Sequence, residues 1–281
     1  MPLLRLGLTA CIADVGTEVA GLTLNGTRRS ARRIAEDGAR LAAERCRAGL
    51  VQSYKAMVLL MARPLIRAID DSTFEHFQQL EALIGLYDTL DIELPLPPMR
   101  RWRLSPDFAR ELACVIAETR PETVVDIGSG VSTLVAGYAL KKNGAGSIVA
   151  LEHAAEWQAK CARLINEHHL SKEATVVHAP LRTTTIAGEQ WQWYETDGLA
   201  AVTPIDLLIV DGPPIHVQGL ARYPALPVLR DLLSPEAVIM LDDADRPDER
   251  EIVARWDREF GPFSIERPAT EKGCAILRRK V

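Results

Sequence analysis

"ETVVDIGSGVSTL", residues 122–134, decides the fold. Thr123 to Ile127 is rich in β-branched residues and reads as a buried strand. Gly128 and Gly130 then make a tight turn, and a helix begins near Val131. Asp126 sits at the strand end, and Ser132 and Thr133 bring hydroxyls to the first helical turn. Glycines without Cβ let a ligand approach the main chain closely. The helix start offers unpaired N–H groups and a positive dipole end to a carboxylate or phosphate.

Outward from this stretch the same rhythm repeats. "SIVALE" (147–152), "ATVVHA" (174–179), "IDLLIVD" (205–211) and "AVIMLDD" (237–243) are short Val/Ile/Leu runs. Such runs suit strands buried on both faces of a parallel sheet. Helical segments are expected at about 105–119, 131–141, 154–169, 217–233 and 246–260. Alternating strands and helices predict an α/β fold with a doubly wound, mostly parallel sheet. "FSIERPATEKGCAILRR" (263–279) predicts two strands joined by a polar turn, an antiparallel pair at the sheet edge.

Residues 1–98 differ from the domain expected over 99–281. "RRIAEDGARLAAERCRAGLVQSYKAMVLL" (32–60) has apolar residues at helical spacing. Pro64 is expected to break or kink that helix. A second helix should start at Ser72, with Glu75 completing a capping box. Phe74, Phe77, Leu80, Ile84 and Tyr87 fall along one side of it. "ELPLPP" (93–98) reads as a stiff, extended linker. The apolar faces of this helical extension need a partner, as a lid or a dimer interface.

Composition narrows the function. The chain has 281 residues, a net charge of -5, 47% hydrophobic and 25% charged residues. That balance is globular and argues against a general nucleic-acid binder. Five cysteines without paired spacing give neither a zinc pattern nor a disulfide framework, which points to a reducing cytoplasm. "LTAC" at Cys11 has the look of a lipoprotein cleavage box, but the apolar run before it is short and broken by Arg5. "AMVLLMARPLI" (56–66) is far shorter than the ~20 residues of a membrane span.

The turn suits one ligand class over another. A dinucleotide prefers G-x-G-x-x-G, and Thr133 stands where the last glycine would be. An acid at Asp126 suits a ligand with an ammonium group. Glu152 closes the next strand 22 residues after Gly130, where a carboxylate accepts hydrogen bonds from ribose hydroxyls. His153 is placed to flank an adenine, and "HAPL" (178–181) to wall its pocket. Each feature has a plainer reading: a tight connection at the turn, a solvated acid at Glu152, an incidental histidine.

Together "VVDIGSGVSTL", "VALEH", "IDLLIVDGPP" and "LDDADR" resemble the class I S-adenosylmethionine-dependent methyltransferases, in particular a bacterial branch acting on small molecules. The resemblance covers about residues 100–281. It implies a Rossmann-like methyltransferase fold with an antiparallel last strand. It implies S-adenosylmethionine as cofactor, held by Asp126, Gly128, Ser129, Gly130, Ser132, Thr133, Glu152, His153, Pro180 and Asp211. It also implies a Mg²⁺ site at Asp211, Asp242 and Asp243, as in catechol-type and sugar O-methyltransferases. Such a metal would bind substrate hydroxyls and lower the pKa of one of them.

Other readings stay open. Asp242 is also placed to cap a helix, and Asp243 or Asp245 to pair with Arg246. Asp211 and His216 are the candidate bases. Trp191, Trp193 and Tyr194 form either a stacking platform for substrate or a small core. "MRRWR" (99–103) either meets an anionic group or is solvated. The expected reaction is O-methylation of a small hydroxylated molecule, a sugar or a phenol. The rivals are an aminopropyltransferase of polyamine type, an NAD-dependent oxidoreductase and a non-catalytic binding protein.

Overall fold

The structure is a computed structural model, and it describes residues 28–199, 202 and 204–280. Cys11 and its "LTAC" context lie outside the described residues. The chain divides into two compact units, Met1–Thr73 and Phe74–Val281.

In the second unit, seven strands form one sheet. They are β1 (Thr123–Ile127), β2 (Ser147–Glu152), β3 (Ala174–His178), β6 (Ile205–Val210), β7 (Leu233–Asp242), β8 (Phe263–Glu266) and β9 (Cys274–Arg279). Their order is β3-β2-β1-β6-β7-β9-β8. The pairs among β3, β2, β1, β6 and β7 are parallel, whereas β9 runs antiparallel to both β7 and β8. This is the expected doubly wound sheet with an antiparallel final pair. A separate hairpin joins β4 (Leu181–Ile186) to β5 (Glu189–Tyr194).

Strict alternation explains why the central strands are apolar throughout. Val124, Leu207, Ile209, Val238 and Met240 face one core. Val125, Leu208, Val210, Ile239 and Leu241 face the other. Side chains alternate across a strand, so a sheet covered on both faces needs apolar residues at every position. The first core includes α2 (Pro106–Thr119), α3 (Val131–Asn143) and α4 (Ala155–Glu167). The second includes α5 (Ala225–Leu229), α6 (Pro247–Phe260) and the β4–β5 hairpin.

Strand order reverses between β1 and β6, since β1 leads to β2 on one side and β6 to β7 on the other. Beyond the carboxyl ends of such a pair lies the crevice where open α/β sheets bind ligands. Ile127 pairs with Val210, which sets Gly128 beside Asp211.

Two expectations are corrected. Pro64 does not end its helix: one helix, α1, runs Arg28–Leu90 with Pro64 inside. A single missing backbone donor is tolerated within so long a run. Ser72 is therefore interior, and the neighbouring Thr73 hydroxyl bonds back to the Ile69 carbonyl at 2.7 Å. The helix expected at 217–233 is reduced to α5, because Gly219 and Pro224 keep the preceding segment in turns. The second unit begins at Phe74 and takes in the end of α1. Leu86, Leu90 and Ile92 are buried in its first core, and the Leu96 N–H donates to the Tyr87 hydroxyl at 2.7 Å. "ELPLPP" is thus extended as expected but fastened down.

Candidate active site

The turn after β1 is built from below. Asp126 is completely buried under it. Its Oδ2 accepts hydrogen bonds from Ser132 Oγ at 2.7 Å and Thr133 Oγ1 at 2.8 Å. Burial pushes the Asp126 carboxyl up to about 7, against the pull of those two donors. Asp126, Ser132 and Thr133 therefore brace the turn from inside. Only Oδ2 is engaged in this brace; Asp126 Oδ1 is buried with no hydrogen-bond partner among the described residues.

Above this brace the main chain is bare. Gly128 and Gly130 have φ of 119° and 133°, the region that favours glycine. A Cβ on Gly130 would meet no atom within 4 Å, so the space over it is open. A Cβ on Gly128 would lie 3.6 Å from the Asp211 carbonyl carbon, which makes the end of β6 one wall of the turn.

The wall on the β2 side is acidic. Glu152 Oε2 accepts from Ser129 Oγ at 2.8 Å, and Oε1 from the Ala154 N–H at 2.9 Å. His153 Nδ1 lies 3.1 Å from Oε1. Burial raises the Glu152 pKa, but His153, the Ala154 N–H and Ser129 outweigh it and hold the group below its ordinary value. The acid is thus kept charged and aimed, as a ribose-binding carboxylate must be. The Ala179 N–H donates to the Glu152 carbonyl, which brings Pro180 to the same edge.

Beyond β6 and β7 the three predicted acids converge. One oxygen each of Asp211, Asp242 and Asp243 lies within 4.8 Å of the others. Two cations absent from the sequence reading sit among them. Arg222 Nη2 is 3.1 Å from Asp211 Oδ1 and 2.8 Å from Asp243 Oδ2. Lys272 Nζ is 2.6 Å from Asp242 Oδ2 and 3.2 Å from Asp243 Oδ1. Arg246 adds a contact of 2.8 Å to Asp243, the pairing foreseen as the plainer alternative. Asp242 caps no helix; its carboxylate accepts from the Asp243 N–H at 2.8 Å.

Charge explains the titration of the group. Burial and the neighbouring Asp242 push Asp211 up to about 8, although Arg222 and Lys272 pull it down. Burial also raises Asp242. Asp243 falls below its ordinary value because Arg222, Lys272 and Arg246 outweigh its burial. Of the three side chains, Asp211 alone keeps substantial exposure, 20% against 0% and 3%.

Two further expectations separate here. His216 is exposed on the loop after β6, and no hydrogen bond ties it to Asp211. Trp191, Trp193 and Tyr194 are buried core residues, not an open stacking platform. Tyr194 nonetheless reaches the crevice. Its ring meets His153 edge-on at 5.7 Å, and a Cβ on Gly212 would collide with its hydroxyl. In "MRRWR", Arg100 pairs with Glu271 at 2.7 Å and Arg103 lies over the exposed Trp102 ring at 4.2 Å. A cavity of about 610 Å³ opens at the other end of the sheet, near Arg120, Asp206 and Arg279, away from these groups.

An open parallel sheet with a bare glycine turn and a fixed acid at its switch point defines a nucleoside-cofactor-binding α/β protein. Residues 125–244 match a family model described as a methyltransferase domain. The SAH-bound methyltransferase PaMTH1 of Podospora anserina shares the fold with a TM-score of 0.51 and 14% identity, over 71% of this chain and 88% of that one. The Bacillus cereus O-methyltransferase in complex with SAH is 16% identical, over 72% and 91%, with a TM-score of 0.47. TomG of Streptomyces achromogenes, an O-methyltransferase involved in tomaymycin synthesis and solved with SAM, is 14% identical, over 72% and 89%, with a TM-score of 0.48. No curated protein matches the chain in sequence. Residues 125–244 are thus similar to a methyltransferase domain, which supports an S-adenosylmethionine-dependent methyltransferase.

Proposed function

We propose that the enzyme transfers a methyl group to a hydroxyl of a small molecule, a phenol or a sugar, with Asp211 as the base. The observation that carries this is the position of Asp211. It is the one acid of its cluster that faces the crevice, and its main chain walls the glycine turn. S-Adenosylmethionine supplies an already activated methyl group, so the protein's part is alignment and proton removal. Gly128, Ser129 and Gly130 would cradle the amino-acid end of the cofactor. Glu152 would accept from the ribose hydroxyls, and His153 and Pro180 would flank the base. A carboxyl pushed up to about 8 is a strong proton acceptor once deprotonated, so turnover should rise with pH toward that value. The test is a screen of phenols and sugars for SAH release, repeated with Asp211→Asn. An acceptor whose turnover survives that substitution would remove Asp211 from the chemistry.

We further propose that α1 pairs with a second copy. Val51, Tyr54, Val58, Met61, Leu65 and Ile69 are all exposed, at spacings of three and four. Residues 28–50 carry seven arginines against three acids, whereas 68–90 carry five acids and neither lysine nor arginine. An antiparallel pair sets the basic stretch of one copy against the acidic stretch of the other. Among the described residues no helix is long and apolar enough to cross a membrane. Sedimentation velocity should give a dimer that dissociates on Met61→Glu; an unchanged monomer in both proteins would refute the pairing.

A further inference from the structure

The Asp211, Asp242 and Asp243 cluster has the donor set of an Mg²⁺ site but not its charge. Mg²⁺ takes oxygen ligands at about 2.0–2.1 Å in near-octahedral order and relies on uncompensated carboxylates. Here every acid of the cluster already has a cationic partner. Asp243 holds both of its oxygens against cations, Oδ2 against Arg222 and Arg246 and Oδ1 against Lys272. Asp242 turns Oδ2 to Lys272 at 2.6 Å and Oδ1 to the Asp243 N–H. Glu249 stands behind, 3.8 Å from Arg222 and 4.0 Å from Arg246. Four carboxyl groups thus face three cations.

We infer that Lys272 and Arg222 occupy the place of a divalent cation, so that this methyltransferase works without a metal. Lys272 sits in the turn between β8 and β9, just before Gly273. Gly273 has a φ of 81°, and a Cβ there would lie 2.4 Å from the Asp245 backbone nitrogen. That close approach presses the turn onto the end of β7 and delivers the ammonium to the acids. Arg222 comes from the irregular segment before α5, and its Nη1 also donates to the Asp242 carbonyl at 2.8 Å. Two independent loops therefore bring positive charge to the same oxygens. A metal bound there would have to displace both or stand beside them, and like charges at such distances repel strongly.

Both nitrogens are positioning groups. They fix Asp242 and Asp243 as inert supports and leave Asp211 alone to face the acceptor. The geometry is independent of the acceptor, but its consequence for catalysis rests on the reading of Asp211 as the base.

The test uses the full chain after exhaustive dialysis against chelator. MgCl₂ and MnCl₂ are titrated calorimetrically, thermal midpoints are recorded with and without MnCl₂, and SAH affinity is measured in each state. The parent protein should give no saturable metal heat, a midpoint moved by less than about 1 °C, and an SAH affinity changed less than about twofold. Lys272→Met removes the ammonium while keeping the stem. In that variant Mn²⁺ should raise the midpoint by roughly 3 °C or more. Stoichiometric Mg²⁺ or Mn²⁺ binding by the parent, lost in Asp243→Asn, would overturn the inference. So would a folded Lys272→Met variant that ignores Mn²⁺. Should Lys272→Met fail to fold, the parent titration alone decides. Loss of SAH binding in every state would instead count against the cofactor site and leave the ion-pair result standing.

Discussion

Two strand-end regions of one sheet hold carboxylates and use them in opposite ways. At β1 and β2, Asp126 and Glu152 are held by three hydroxyls and one backbone N–H, with His153 the nearby ring nitrogen. Over them lies an open glycine turn. At β6 and β7, Asp211, Asp242 and Asp243 are held by an ammonium and two guanidinium groups. Neutral donors keep an acid available for a ligand, whereas buried cations satisfy it in place. The first region is built for a guest. The second is largely complete, and only Asp211 is left facing the crevice.

The comparison can be broken from either end. The largest effect is expected at Asp211→Asn, which should lower turnover of any accepted hydroxyl compound by about 10²- to 10⁴-fold. SAH affinity should stay within about twofold, because the substitution keeps the Asp211 main chain and Cβ that wall the turn. A parallel loss of affinity would place the side chain in the cofactor region.

Next in size is Arg222→Met. Removing one partner of a buried ion cluster costs on the order of 3–5 kcal/mol, since charges are left uncompensated. Urea unfolding should register that loss. A change below about 1 kcal/mol would mean that the cluster is more solvated than its contacts imply.

The smallest effect concerns pH. Asp126 has a folded pKa of about 7, above the ordinary ~3.9 of an unfolded aspartate. The folded state therefore binds the extra proton between those values, and stability falls as pH rises from about 4 to about 7. Asp126→Asn should flatten that part of the profile in denaturant unfolding measured at several pH values. An identical slope in the variant would assign it to Asp211, Asp242 and Glu249, which shift in the same direction.

Much of this was legible in the chain. Continuous Val/Ile/Leu runs gave the parallel strands, because a sheet covered on both faces admits nothing else. Asp126, Gly128, Gly130 and Glu152 fell at strand ends, and strand ends of one sheet gather at one crevice. Arg222 and Lys272 left no such signal. They come from loops on either side of the acids they meet, and loop conformation has no periodicity. The β4–β5 hairpin was readable but unread: Ala187–Gly188 is a two-residue turn with φ of 49° and 85°, and alternation flanks it. The aromatic run 191–194 lies on β5, so its residues pack into the second core and not into solvent. For Asp126, the brace through Oδ2 depends on where the Ser132 and Thr133 hydroxyls point, which no local pattern tells.

The most direct measurement is calorimetric titration of SAH into the parent protein and Glu152→Ala. Charge-assisted hydrogen bonds to a fixed carboxylate are worth about 1.5–3 kcal/mol. The parent should bind, and the variant should bind about tenfold to a hundredfold more weakly with its fold intact. Equal affinity in the two proteins would contradict the placement of the cofactor beside the glycine turn.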